Sequence, residues 1–246
     1  MEVIVPDWPA PSNVKALFTT RAGGVSSGAF GSLNLGAHVG DVAVDVEENR
    51  RRLRALLPSS PVWLKQVHGS EVIDAALSTS DGLLPSSADA SFTTQFDVPC
   101  TVLVADCLPV LFCATDGSGV AAAHAGWRGL HLGILECTVA AMKPKAGNIF
   151  AWMGPAIGPS AFEVGEDVFK AFTEVTPQDA HAFKPIAGST QKYFADIYEL
   201  ARLRLRRAGV AEIFGGQFCT VSDADRFFSY RRDGKTGRMG AVIWLE

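Results

Sequence analysis

The sequence predicts an α+β fold, with mixed β-sheets flanked by helices in one compact domain spanning residues 1–246. Three observations lead there. Short apolar runs follow one another between Pro61 and Ala125, each of strand length and divided by turn signals such as Thr115-Asp116-Gly117-Ser118-Gly119. Helical segments are inserted among these runs without strict alternation, which favours layered mixed sheets over a wound parallel sheet. The chain of 246 residues is 48% hydrophobic, enough to bury a substantial core, and it has no low-complexity linker to split it.

In chain order, a strand is expected at 16–20. Asp45 and Glu48 read as a capping box opening a helix over 46–57. Strands are then expected at 61–67, 70–75, 88–94, 100–106, 109–115 and 119–125, with a loop at 83–87 too short to divide domains. A helix over 130–142 should stop before Pro144, followed by a strand at 148–153. Val168, Phe169 and Phe172 suggest a third helix. Phe194, Ile197, Ala201, Leu205 and Ala208 share one face of a fourth, ending at Gly209. Strands at 217–221 and 239–245 complete the set.

The net charge is −4, which gives no electrostatic case for nucleic acid as a partner. The basic run Arg202, Arg204, Arg206 and Arg207 falls in the last turns of a helix, where cations suit the helix dipole. The N-terminal residues lack the pattern of a signal peptide, and no apolar run approaches the roughly 20 residues of a membrane span. The five cysteines are odd in number and mostly in apolar context, which predicts reduced thiols and a cytoplasmic protein.

Three side chains stand out chemically. His68 in WLKQVHG, Cys107 in VADCLPVLF and His124 in VAAAHAGWRG each end or interrupt an apolar run, where an unpaired imidazole or thiolate is costly. Two His and one Cys with an open fourth position form a known catalytic zinc arrangement; a closed site that only braces the fold is the alternative. The trio fits no local metal motif, so the fold itself must assemble it. Arginines also sit in glycine turns. Arg128 precedes a helix expected to begin near Leu130, an arrangement suited to an anion, and Arg21 and Arg231 occupy comparable loops. The loop from Gly154 to Pro159 carries no readable chemistry, and His38, His131 and His181 show no convincing partner. Familiar signals fail: Gly117-x-Gly119-x-x-Ala122 is followed by a strand pattern where a dinucleotide site needs a helix, and Gly234-Lys235-Thr236 lacks the upstream glycine of a phosphate loop. Neither a G-x-S-x-G elbow nor a nucleobase-deaminase zinc pattern is present.

The motifs FTTRAGGVS, SLNLGAHVGD, WLKQVHG, ADCLPVLF, HAGWRG, GPAIGP, FEVG and FFSYRRDGKTGRMGAVIWL run in order from residue 17 to the C-terminus. Together they resemble the YfiH/laccase-domain family over almost the whole chain. The resemblance implies an α+β fold, a metal held by His68, Cys107 and His124, and phosphorolysis of adenosine, inosine, guanosine and methylthioadenosine with adenosine deaminase activity. The family's older label is polyphenol oxidase, with copper. Five histidines are too few for a multicopper centre, which needs roughly ten imidazoles, so zinc is the expected cofactor and a single copper enters by substitution. Phosphorolysis needs a cationic cradle and a nucleoside pocket. Arg128, then Arg21 and Arg231, are the phosphate candidates; Lys65, Gln66 and Asn34 are those for ribose or base. Asp106 is either a proton carrier or a support for a ligand. A thiol hydrolase using Cys107 with His124, a single-copper polyphenol oxidase and a metal-braced module without catalysis remain as alternatives. The expected partners are purine nucleosides and phosphate, with no nucleic acid and no membrane.

Overall fold

The computed structural model describes residues 1–77, 86–142 and 149–246. Its largest sheet is mixed and six-stranded, in the order β12 (Glu212–Gly215), β8 (Ile149–Met153), β6 (Leu108–Ala114), β7 (Val120–Ala125), β4 (Ala90–Thr93) and β3 (Val72–Asp74). The outer pairs β12–β8 and β3–β4 are parallel and the inner pairs antiparallel. A second, antiparallel sheet runs β1 (Val3–Ile4), β2 (Val14–Thr19), β13 (Met239–Leu245) and β5 (Cys100–Val104). A small sheet joins β10 (Phe183–Pro185), β11 (Lys192–Ala195) and β9 (Glu163–Gly165). The helices are α1 (Ala43–Arg54), α2 (Trp127–Leu132), α3 (Ile134–Met142), α4 (Glu166–Thr173), α5 (Ile197–Arg207) and the single turn α6 (Tyr230–Asp233).

The period of two along each strand builds the layers. From β6, Leu108, Val110 and Phe112 point into a core shared with α3, α4 and α5. Leu111 and Cys113 of the same strand point the other way, against Val102 and Val104 of β5 and Ala241 and Ile243 of β13. The far face of the second sheet, with Leu17, Leu103, Val242 and Trp244, is covered by Leu53 of α1 and by Leu57. The order is helix, four-stranded sheet, six-stranded sheet, helices: the expected α+β class in one domain. Both faces of β6 and β7 are buried, which is why their sequences read as continuous apolar runs.

Several expected elements change form. The 61–67 segment is not a strand; its backbone pairing is limited to isolated bridges at Val62 and Lys65 among the described residues. The Gln66 side chain pairs with both backbone groups of Leu103 and so stands in for a strand partner. Asp45 is not an N-cap, because α1 starts two residues earlier with Val42 in the cap position, and Glu48 binds Arg51 and Arg52 instead. The 130–142 helix divides at Gly133, whose φ of 92° ends α2 and opens α3. Phe194 belongs to β11, and Asp196 caps α5 by accepting from the amides of Tyr198 and Glu199. Residues 217–221 form a loop, the strand lying at β12 just before it. Cys137 is exposed rather than embedded, and all five cysteines are free thiols. Of the basic run, Arg204 pairs with Glu136 and Arg207 with the buried Asp179. Residues 83–85 of the expected 83–87 loop, the first residue of the 148–153 run and Pro144 lie outside the described residues. Among the described residues no helix is long and apolar enough to cross a membrane.

Candidate metal centre and cleft

The site forms at one end of the six-stranded sheet. Leu108 of β6 faces Ala125 of β7, so the next residues along, Cys107 and Gly126, meet where the strands run out. His124 is the penultimate residue of β7. His68 comes from the irregular segment before β3 and adopts a φ of 61°, uncommon for a side-chain-bearing residue. The ligand atoms of His68, Cys107 and His124 all lie within 4.8 Å of one another, and the Cys107 Sγ is 3.8 Å from the His68 Nε2. The imidazoles meet edge to face at 4.8 Å between centroids. Gly126 makes room for this: a Cβ there would lie 2.9 Å from His68 Cδ2 and 3.0 Å from Cys107 Sγ.

These donors fit a metal. Tetrahedral zinc with bonds of about 2.0–2.3 Å places N and S ligands roughly 3.3–3.6 Å apart, a small contraction from this spacing. The His124 Nδ1 is committed to Asp89 Oδ1 at 2.8 Å, which leaves Nε2 for a metal. Asp89 is fully buried and was not singled out in the sequence reading. The available signal was an aspartate entering the apolar run ADASFTT, since a carboxylate in a buried strand demands partners.

The electrostatics are those of a coupled pair. Burial disfavours the Cys107 thiolate, but His124 and His68 outweigh it and bring the thiol down to about 6. Burial equally disfavours a charged His124, but Cys107 and Asp89 outweigh it and raise the imidazole to about 9. Burial pushes Asp89 up, and the His124 ring with the amides of Gly69 and Val67 holds it below the usual carboxylate range. Before any metal arrives, each of Cys107 and His124 therefore favours the charged form of the other, thiolate beside imidazolium.

A cleft of about 240 Å³ opens over the cluster, lined by His68, Asp106 and Cys107, by Trp127 and Arg128, and by Tyr230 and Arg231, with Ile157, Phe162 and Ile197 among its apolar walls. Arg128 lies over the Trp127 ring at 4.3 Å, and its guanidinium meets no hydrogen-bond acceptor among the described residues. Arg231 is steadied by the carbonyl of Glu163 at 2.9 Å and by the Phe162 ring. The helix behind Arg128 starts at Trp127, not Leu130, and has six residues, too short for its dipole to add much to an anion site. The Gly154–Pro159 loop acquires a role: Tyr198 Oη accepts from the Ala156 amide and shares its proton between the carbonyls of Phe218 at 2.9 Å and Gly154 at 3.2 Å, and the Ile157 amide reaches the Asp106 carbonyl.

Four candidates are not brought to this cleft. Arg21 donates to the carbonyls of Gly31 and Ala224 and packs on Phe228. Asn34 is buried, accepting from the amides of Gly36 and Arg238 and donating to Asp41. Gln66 is spent on Leu103. Lys65 is exposed and lies outside the cleft lining. Their signal in the sequence was conformational: three hold loops together. Tyr230 and Phe162 were missed as cleft walls because only the fold brings them beside Cys107.

The family described as multi-copper polyphenol oxidoreductase laccase matches residues 15–246. The chain belongs to this laccase-like YfiH family. It is 53% identical over 246 residues to the purine nucleoside phosphorylase YfiH of Escherichia coli (strain K12), covering 99% of each chain. It is 51% identical to the purine nucleoside phosphorylase PA4543 of Pseudomonas aeruginosa, over 99% of this chain and 98% of that one. The crystal structure of Neisseria meningitidis NMB0706 superposes with a TM-score of 0.93 at 50% identity, over the whole of both chains. YlmD from Geobacillus stearothermophilus gives a TM-score of 0.88 at 34% identity, over 97% and 94%. The multi-copper part of the family description conflicts with this YfiH-family chain. Beyond His68 and His124 it has only His38, His131 and His181, against the roughly ten imidazoles of a multicopper centre.

Proposed function

We propose that this YfiH-family chain is a zinc-dependent purine nucleoside phosphorylase acting on adenosine, inosine, guanosine and methylthioadenosine, with adenosine deaminase activity. The observation that carries the reading is the cleft, which sets the guanidinium of Arg128, without an acceptor among the described residues, and the anchored Arg231 beside the His68–Cys107–His124 cluster. The relatives named as purine nucleoside phosphorylases support it. His68, Cys107 and His124 would hold the metal, and when bound the zinc supplies Lewis acidity next to the substrate. Trp127, Phe162 and Tyr230 offer aromatic surface for a purine. Arg128 and Arg231 would bind phosphate and neutralise the charge carried to the sugar. Asp106 would position Arg231 rather than carry a proton. Copper can occupy the same three donors, because it outbinds zinc at most N/S sites.

The test is chromatographic. Adenosine with phosphate should give adenine and ribose 1-phosphate, and adenosine without phosphate should give inosine. Failure of both in zinc-loaded protein would overturn the reading and favour a metal-braced module. One observation favours a second reading: Cys107, His124 and Asp89 have the connectivity of a Cys–His–Asp nucleophile triad, with the thiol already lowered to about 6. The second imidazole 3.8 Å from the sulfur is surplus to a triad and suited to a metal.

A further inference from the structure

We propose that Asp89 is the positioning residue that makes the cluster competent to bind metal, because among the described residues its carboxylate alone holds both histidine ligands, and a carboxylate is the group that can do so. The inference rests on the metal reading above. The Asp89 carboxylate accepts four hydrogen bonds. Oδ1 takes the His124 Nδ1–H at 2.8 Å and the His68 amide at 2.9 Å. Oδ2 takes the amides of Gly69 at 2.7 Å and Val67 at 3.1 Å. Its own carbonyl accepts the His124 amide at 2.7 Å.

The two ligands so held differ. His124 is buried in a strand and needs only its tautomer fixed. His68 is exposed, in an irregular segment with a left-handed φ of 61°, and three consecutive amides at 67–69 close around Asp89 to keep that turn. Gly129 allows the turn to pack inward: a Cβ there would lie 2.8 Å from the Gly69 carbonyl oxygen. Asp89 thus joins a preset ligand to one that the chain would not otherwise present.

All four partners are donors, so the residue must be acceptor-only. An asparagine of identical shape fails either way round. With its oxygen towards His124 and His68, its NH₂ meets the amides of Val67 and Gly69. With its oxygen towards those amides, its NH₂ meets the His68 amide and forces His124 to carry its proton on Nε2, the atom the metal needs. Either the turn or the tautomer is lost.

The experiment compares zinc affinity, by chelator competition, of wild type and Asp89→Asn, with amide hydrogen exchange on both. Loss of a partner to a metal-ligating histidine costs about 10- to 100-fold in affinity, and that is the expected drop, with faster exchange at Val67, His68 and Gly69 but not in β6 and β7. A role in fold stability alone would lower the unfolding temperature of metal-free protein and leave the zinc affinity of the folded fraction unchanged. That result overturns the inference. Should Asp89→Asn not fold, nitrogen NMR of zinc-loaded wild type decides: His124 must carry its proton on Nδ1, and an Nε2–H tautomer overturns the proposal. Wild type that binds no zinc would instead overturn the metal reading and this inference with it.

Discussion

The carboxylate of Asp106 receives the backbone N–H of Arg231 at 2.6 Å on Oδ2, while its Oδ1 accepts the Thr220 hydroxyl at 2.5 Å. The residue next to Cys107 therefore fixes the start of α6, and with it Tyr230 and Arg231, over the cleft. Asp106 takes a φ of 88° to do this, turning the chain between β5 and β6 so that Cys107 and the carboxylate face different neighbours. With both oxygens engaged, its geometry is that of a joint.

That geometry separates a joint from a proton carrier. Asparagine tolerates positive φ, can accept from the Arg231 amide, and can donate to Thr220, whose hydroxyl works in either direction. Asp106→Asn should keep kcat within about threefold and leave the nucleoside KM nearly unchanged. Asp106→Ala strands a buried amide, at a cost of about 1–3 kcal/mol, and should raise KM and lower the unfolding temperature. Steady-state kinetics and thermal unfolding on both variants check this; a kcat lost by orders of magnitude in folded Asp106→Asn would restore the proton carrier.

The sequence made the double-faced core strands legible, because runs such as VAAAHA have no polar side to hide. The 61–67 segment deceived because Gln66 satisfies a strand backbone with its side chain, and a side-chain amide mimicking a ladder bond leaves no periodic trace. Of the His68, Cys107 and His124 cluster, only His124 is buried, so the cost of burying such a group accounts for it alone. Cys107 is half-buried and His68 exposed, and these two stood out by ending or interrupting apolar runs. Asp89 left only the trace of an aspartate in the apolar run ADASFTT, since three of its four partners are backbone amides without sequence identity. Arg21 and Asn34 lie away from the cleft lining for a related reason: polar residues among glycines serve loop geometry as readily as ligands.

Cys107 should behave as the hinge of the metal centre. Wild type should hold about one zinc per chain and Cys107→Ala almost none, with secondary structure retained, by metal analysis and circular dichroism. In metal-stripped protein the lowered thiol gives a pH signature. The thiolate predominates above about 6 and is lost as pH falls through that value, so alkylation of Cys107 should rise with a midpoint near 6. Cys100 and Cys113, pushed up to about 12 by burial, should stay inert at pH 8. Zinc should protect Cys107; equal alkylation and inactivation with zinc bound would favour the thiol nucleophile. Peptide mass mapping reads all three sites.

Gly126 tests whether close approach, and not backbone freedom, makes the site. Its φ of −62° suits alanine, so Gly126→Ala adds no backbone strain. The new methyl would lie 2.9 Å from His68 Cδ2 and 3.0 Å from Cys107 Sγ, pushing exposed His68 outward. Zinc affinity should fall about 10-fold or more, since misplacing one ligand resembles losing its support, while the metal-free unfolding temperature moves by at most a few degrees. Chelator competition and calorimetry measure the two. An unchanged affinity would mean that the ligands bind from a geometry wider than the one described.

Arg128 is the remaining discriminator, because the role proposed for it is tied to one co-substrate. Its guanidinium rests on Trp127 and meets no acceptor among the described residues, so an arriving anion need not compete with an internal ion pair. Arg128→Ala should raise the phosphate KM on the order of 10- to 100-fold, the scale of a lost charge-assisted bidentate contact. The nucleoside KM should shift little. Arg128→Lys should recover only part, since an ammonium keeps the charge but neither forks nor stacks as a guanidinium does. Adenosine deamination, which uses water in place of phosphate, supplies the internal control and should survive in both variants. Varying phosphate and nucleoside separately in each variant gives the comparison. Equal loss of both reactions would place Arg128 in nucleoside binding and leave Arg231, across the same cleft, as the phosphate ligand.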